Sequence, residues 1–439
     1  MTSMQHKFGA LDLIRAGLQD LDRARTLFDE LHNDGIDDDR MRLLLATLEK
    51  ACDPDIALSN LVDIIKVMQS QGKDFTNIIA DENSFVRLIT VLGVSDEMGK
   101  LMRFRPELVE AAANDACESH LYNHEQRRAH VLKSVGADPN DHTMPTASLP
   151  LAEAATALRK TYRKQLAAIM AQDATANDPI EIQPRISTEL SDLADAALEG
   201  ALAIARHEVD GSEHVRFAII GMGKLGAQEL NYVSDVDLIY VLEPADMDTN
   251  GMALSRIGTK MATTLQRVCQ SVIMGVAEPT LWQIDGGLRP EGKDGPLVRR
   301  LESHEAYYEQ WAENWEFQAL LKARPVAGDT DLGQAYMDMT RPFVWTASKR
   351  DNFVYDCQQM RKRVEDLIPN PLKDREIKLG RGGLRDVEFT VQMLQLVHGR
   401  SDEALRTSST LESLQALAEG GYVSRKQAKK LSWDYRFNV

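Results

Sequence analysis

The stretch Phe217–Val241, FAIIGMGKLGAQELNYVSDVDLIYV, decides the fold, because it carries two signals that lead to different chemistry. Gly221-Met-Gly223-Lys-Leu-Gly226 spells G-x-G-x-x-G after an apolar run, the form of a dinucleotide-binding turn. Asp235-Val-Asp237 opens a second apolar run. A dinucleotide turn must start a helix of ten or more residues, with its acid about twenty residues on, at the far end of the next strand. Here eight residues separate Gly226 from Asp235, among them turn-prone Asn231 and Ser234, and the acids open the second strand. The dinucleotide reading, an NAD-linked oxidoreductase, therefore lacks its context.

The paired acids support another chemistry. Residues i and i+2 of a strand share a face, so Asp235 and Asp237 present two carboxylates side by side. Such a pair is costly unless something neutralises it. Mg²⁺ does so with carboxylate oxygens, completing its shell with water and phosphate oxygens, while Gly221 and Gly223 let backbone N–H groups approach a nucleotide's phosphates. The bland alternative is a solvated turn leading into a strand. Against it stands the next motif in chain order, WQIDGGLRPEGKDGPL, Trp282–Leu297. Its strand ends in Asp285, a third carboxylate of the kind a two-metal phosphoryl-transfer site needs. Arg289 follows as a candidate phosphate clamp.

Composition narrows the partners. The chain has 439 residues, 43% hydrophobic and 27% charged, with a formal charge of −16. That length suggests about three domains, and that charge opposes binding to a nucleic-acid backbone. The four cysteines, Cys52, Cys117, Cys269 and Cys357, are scattered with no CxxC pair, and read as buried thiols of a reducing compartment. No apolar run approaches the ~20 residues of a membrane span, so the expectation is a cytoplasmic protein without a membrane partner.

Along the chain, residues 1–135 read as an N-terminal helical domain. Leu61, Ile64, Ile65 and Met68, and likewise Phe85, Leu88, Ile89 and Leu92, fall at i, i+3, i+4 and i+7. Asp55 and Asp81 are the candidate helix starts. Residues 136–206 read as linker and connecting helices, with residues 171–184 a loop. Strands are expected at Val215–Ile220, Val236–Val241 and Leu281–Asp285, with a helix over about 254–272. The fold class is mainly α, with a small embedded α/β core over 207–330 and a helical domain over 331–439.

Two acids on one strand and a third on a later strand, behind a glycine pair, are similar to the nucleotidyltransferase superfamily, whose palm is of the DNA polymerase β type. More narrowly, GMGKLGAQELNYVSDVDLIYV, LRPEGKDGPLV, YYEQWAENWEFQALLKARPVAG and IKLGRGGLRDVEF resemble the bifunctional glutamine synthetase adenylyltransferase and adenylyl-removing enzymes, from about Leu190 onward. The resemblance implies a polymerase-β-like palm flanked by helical domains. Asp235, Asp237 and Asp285 then take the places of the family's metal-binding and catalytic aspartates, holding two Mg²⁺ ions, or Mn²⁺. Gly223 and Lys224 stand where the superfamily has a glycine and a small polar residue, and Gly287 stands where this family commonly has arginine. Those enzymes have two catalytic halves in tandem. One motif set preceded by about two hundred residues resembles the deadenylylating N-terminal half, with the C-terminal helical domain expected to be truncated.

The reaction so implied is attack of phosphate on a tyrosine-O-AMP diester of glutamine synthetase, releasing ADP. Two alternatives stay open: the reverse sense, adenylylation with ATP, and a non-catalytic module that docks glutamine synthetase or a PII-type signal protein. Further nucleotide or phosphate contacts are candidates at Lys322 and Arg324, and at Gly382, Gly383 and Arg385 in the glycine-rich turn before a helix, with Lys378 beside them. Trp311 and Trp315 read as core, His304 is offered no partner, and Arg361–Asp366 reads as a solvated helix face.

Overall fold

The computed structural model describes residues 8–73, 75, 81–113, 122–246, 250–373 and 375–439. They divide into two compact units: residues 1–122 with 162–182, and residues 123–161 with 183–439. Among the described residues no helix is long and apolar enough to cross a membrane.

The first unit is helical. Helix Pro54–Ser70 buries Leu61, Ile64, Ile65 and Met68, and helix Glu82–Val94 buries Phe85, Leu88, Ile89 and Leu92, all in one core. Each side chain so buried contributes roughly 1.5–3 kcal/mol. Asp81 caps its helix as expected, its carboxylate accepting from the Ser84 amide at 2.7 Å. The cap of the other is Asp53 rather than Asp55, accepting from Ile56 at 2.9 Å. The proline at position 54 explains the shift, because proline suits the first helical position and pushes the cap one residue back.

Residues 171–184 are only briefly a loop. The preceding helix runs from Leu151 to Ala174, and the next one, α1, is Pro179–Glu208. Asp178 starts α1 by accepting from the amides of Ile180 and Glu181 at 2.9 and 3.0 Å. Pro184 lies inside the helix, in its second turn, and removes the one hydrogen bond that an amide there would give to the Ile180 carbonyl.

The second unit, which takes α1 from residue 183 on, is built on a five-stranded mixed sheet. Strand β1 (Val215–Gly221) pairs antiparallel with β2 (Val236–Pro244), Gly221 facing Leu238 across the register. The connection holds only the four-residue helix α2 (Gly223–Gly226). A dinucleotide fold needs parallel strands joined by a full crossover helix, so this topology overturns that reading. β2 also pairs in parallel with β3 (Ile284–Asp285) and with β4 (Val298–Arg300), while β5 (Arg324–Gly328) runs antiparallel beside β1. The strand expected from Leu281 shrinks to its last two residues. The Gln283 carbonyl still accepts from the Val236 amide at 2.9 Å, but Leu281 is drawn elsewhere, its amide donating to the Cys269 carbonyl at 2.8 Å.

Alternation along the strands separates two cores. Ala218 and Ile220 of β1 and Ile239 and Val241 of β2 face a cluster with Tyr307, Tyr308, Phe317 and Tyr336. These come from helices α4 (Leu301–Gln310), α5 (Asn314–Leu320) and α6 (Thr330–Thr346). On the other face lies α3 (Gly251–Gln270), burying Leu254, Met261, Leu265 and Val268. Then follow α7 (Phe353–Asp366), α8 (Leu384–His398), α9 (Thr410–Glu419) and α10 (Arg425–Asn438). Cys269 and Cys357 are buried thiols, whereas Cys52 is exposed; Cys117 lies outside the described residues.

Candidate functional site

Strands β1 and β2 are antiparallel, so the turn that leaves β1 and the residues that open β2 lie at the same end of the sheet. There Gly223, Lys224, Asp235 and Asp237 line one side of a pocket. Helices α5, α7 and α8 line the other side with one stripe each, at i, i+3, i+4 spacing: Trp315, Gln318, Ala319 and then Lys322; Met360 and Val364; Arg385, Glu388, Phe389 and Gln392.

Two of the acids are placed by strand register. Asp237 of β2 stands opposite Asp285 of β3, and Asp235, more exposed, lies two residues earlier, just before β2 begins. Burial, and then the charges of Asp235 and Asp285, push the Asp237 carboxyl up to about 6, against the pull of Arg385 and Lys378. Glycine at 223 suits both the backbone and the space. Its φ is +54°, and a Cβ there would stand 2.6 Å from Asp237 Oδ2. A Cβ at Gly226 would stand 1.9 Å from the Lys322 carbonyl oxygen. Gly287 donates its amide to Asp285 Oδ1 at 2.7 Å and so steadies the third acid.

An all-oxygen donor set with mutually repelling charges, and an open cradle against Asp237, fit a hard divalent ion. The three carboxylates are not drawn into a closed cage, however. Among the described residues, three possible ligand atoms come within 4.8 Å of one another at a different place, His124, Asp192 and Asp195. That group is also compatible with a divalent ion, but Arg324 already forks onto Asp195 at 2.6 and 3.2 Å, and a cation there competes with a guanidinium.

The expected basic residues divide by role. Lys224, Lys322, Lys378 and Arg385 line the pocket. Burial lowers the pKa of Lys224. Lys322 is buried and donates to Glu229 at 2.8 Å and Thr410 at 3.2 Å. Burial opposes its charge, yet Glu229 and Glu388 outweigh that and hold its pKa above the usual value. Arg385 bridges to Glu388 at 3.2 Å. Arg289 and Arg324 do not line the pocket. Arg289 donates to the carbonyls of Gly286, Lys293 and Gly295, at 2.7, 3.0 and 3.1 Å, and holds its own loop together. Arg324 joins Asp195 to the carbonyls of Leu225 and Gly226, at 3.1 and 3.3 Å, supporting the glycine turn from behind. Gly221 ends β1, and Gly382 and Gly383 lead into α8, where the Gly382 amide donates to Asp386 at 2.5 Å.

Three readings of single residues change, those of Trp311, Trp315 and Arg361. Trp311 is 73% exposed, and Trp315 lines the pocket. One helix ends before Trp311 and another begins at Asn314, so the two tryptophans share no helical face. Arg361 does not lie on a solvated face. It donates to Asp386 at 2.5 Å and to the carbonyls of Leu379 and Gly380, both at 3.1 Å, pinning the glycine-rich turn. His304 is packed between Tyr308 and Tyr336, and burial pushes its imidazole down to about 3, so it is neutral. Gln318 and Gln392, hydrogen-bonded to each other at 2.8 Å in the pocket wall, are absent from the sequence reading altogether. The one signal that could have found them is a polar residue recurring on the inward stripe of each helix.

Comparison with known proteins follows the same lines. The glutamate-ammonia ligase adenylyltransferase family model matches residues 85–339, and the GlnD PII-uridylyltransferase model matches residues 358–439. A bifunctional glutamine synthetase adenylyltransferase/adenylyl-removing enzyme of Bifidobacterium longum (strain DJO10A) is 75% identical over 437 residues, covering 100% of this chain. One of Cutibacterium acnes is 44% identical over 427 residues, covering 97%. The chain spans 41% and 42% of the length of these two relatives.

Proposed function

The chain belongs to the glutamate-ammonia ligase adenylyltransferase family, and from that premise we propose that it removes AMP from adenylyl-tyrosine of glutamine synthetase by phosphorolysis, releasing ADP. The protein substrate is carried over from the relatives' names, and the sense of the reaction from the resemblance of this motif set to the deadenylylating half. Regulation by a PII-type signal protein is carried over from the match over 358–439. The sheet with its flanking helices serves as a nucleotidyltransferase palm of the polymerase β type.

The observation that carries the reading is the convergence of Asp235, Asp237, Lys378 and Arg385 on one pocket, with Asp285 opposite Asp237 in the strand register. Acids and bases converge where a phosphodiester would lie. Asp235, Asp237 and Asp285 would hold divalent Mg²⁺ or Mn²⁺, which supplies neutralisation of charge on the phosphoryl oxygens when bound. Lys378 and Arg385 attract the incoming phosphate and orient it in line with the scissile bond. As its oxygen bonds to phosphorus, the bond from phosphorus to the tyrosine oxygen breaks. The phenolate is a tolerable leaving group because its conjugate acid has a pKa of about 10. Leu288 and Met360 of the same pocket add apolar surface that excludes water from the reacting phosphorus.

The test incubates adenylylated glutamine synthetase with phosphate, Mg²⁺ and either this chain or its Asp235→Asn variant, and follows ADP. ADP from the parent alone supports the reading. Adenylyl-tyrosine formed from ATP, with no ADP released from the modified protein, would assign the opposite sense.

A further inference from the structure

Gln318 and Gln392 face each other across the pocket wall, one from α5 and one from α8. Gln318 is 3% exposed and Gln392 8%. The Gln318 amide nitrogen donates to Gln392 Oε1 at 2.8 Å. Gln318 Oε1 is buried with no hydrogen-bond partner. A buried acceptor left unmatched is uncommon and calls for a reason. The amide nitrogen of Gln392, across the bond, donates no hydrogen bond among the described residues. Exchanging both amide ends together preserves the mutual bond, and the pair again has one acceptor and one donor to spare.

Their position gives the reason. Gln392 lies seven residues, about 10 Å along the helix, beyond Arg385, the cation that faces the acids. Lys322 and Glu388 lie between these two levels on the same stripes. Trp315 and Phe389 line the pocket beside the glutamines, and both offer flat apolar surface. A nucleotide whose phosphorus sits at Asp237 would carry its base to this level. Adenine presents a donor, its exocyclic amine, next to a ring-nitrogen acceptor, and a glutamine amide is the usual complement of that edge. Enclosed bases are read this way elsewhere, by hydrogen bonds to the base edge and flat side chains on the faces.

We propose that Gln318 and Gln392 form the nucleobase subsite of the pocket and select adenine. This rests on the nucleotidyl-transfer reading above. The pair is a specificity determinant that touches the base and takes no part in bond making. Selectivity comes from the amide edge, and Trp315 and Phe389 supply base-independent contact.

Calorimetric titration of the chain in Mg²⁺ with ADP, UDP and pyrophosphate separates these contributions. The parent protein binds ADP at least about tenfold more tightly than UDP. Gln318→Leu and Gln392→Leu each bring the ratio of the two affinities close to one and leave pyrophosphate binding unchanged. Gln318→Glu, of nearly the same shape, gives the same loss where a leucine fails to fold. ADP binding with an unaltered ratio in the variants overturns the subsite and leaves the proposed reaction standing, as does a parent protein that binds ADP and UDP equally. A parent protein that binds no ADP at all overturns both.

Discussion

Lys322 and Glu229 form a buried ion pair at 2.8 Å, their side chains 5% and 8% exposed. Glu229 also accepts from the Thr410 amide at 2.5 Å and from the Tyr435 hydroxyl at 3.1 Å. One carboxylate thus holds the pocket lysine, the start of α9 and a side chain of α10. Glu229→Ala leaves Lys322 buried with only the more distant Glu388, at 3.8 Å, to balance it. The expected loss is about 3–5 kcal/mol in urea unfolding of the second unit's transition. Replacing Glu229 and Lys322 together by Leu and Met costs far less, because no charge is then left alone.

Asp237→Asn should stabilise the metal-free protein at neutral pH. The folded-state pKa of Asp237, about 6, stands above the carboxylate's ordinary 3.8, so the folded state binds this proton more tightly than the unfolded chain does. Its ionisation therefore costs stability that is absent below about pH 4 and grows as pH rises through 6. Unfolding in EDTA at pH 7.5 should show the variant about 1–3 kcal/mol more stable, with no gain at pH 4. The same variant should release no ADP.

At Gly223 the demand on the backbone and on space coincide. Gly223→Ala combines a positive φ with a methyl group 2.6 Å from Asp237 Oδ2. The expected cost is about 1–3 kcal/mol of stability, and displacement of Asp237 lowers Mg²⁺ affinity as well. A titration of ADP release against Mg²⁺ reads this as a shift to higher concentration. Gly382→Ala, also at positive φ but with open space around it, should leave that titration where it was.

A second titrating group acts with the opposite sign. The hydrogen bond to Asp195, and the charges of Asp195 and Asp192, raise the pKa of His124. Its contribution is fully present below the unfolded value near 6.5 and is lost as pH rises through the higher folded value. The stability difference between the parent and His124→Gln, measured from pH 6 to pH 9, should therefore shrink steadily. A difference that grows with pH would show His124 acting as a neutral donor.

The legible and illegible parts of this chain differ in range. Apolar stripes such as Leu61 to Met68, the strands carrying Ala218 and Val241, and the short reach from Gly226 to Asp235 are local patterns, and each emerges in the structure. The partners of charged side chains are not local. Arg324 meets Asp195 across 129 residues, and Lys322 meets Glu229 across 93. Nothing near Arg289 in sequence says that its donors serve Gly286 and Gly295 rather than a phosphate. The glutamine pair depends on two helices meeting 74 residues apart, a fact that no window on either helix contains.

Tyr435 reaches Glu229 across 206 residues. A chain emerging from the ribosome therefore makes β1, β2 and their acids long before the hydroxyl that completes the Glu229 cluster exists. Until α10 arrives, Glu229 lacks this donor and α9 has nothing of α10 to pack against. The charges of the cluster, Glu229, Lys322 and Glu388, are thus in the chain before the neutral hydroxyl that completes the hydrogen bonds of Glu229.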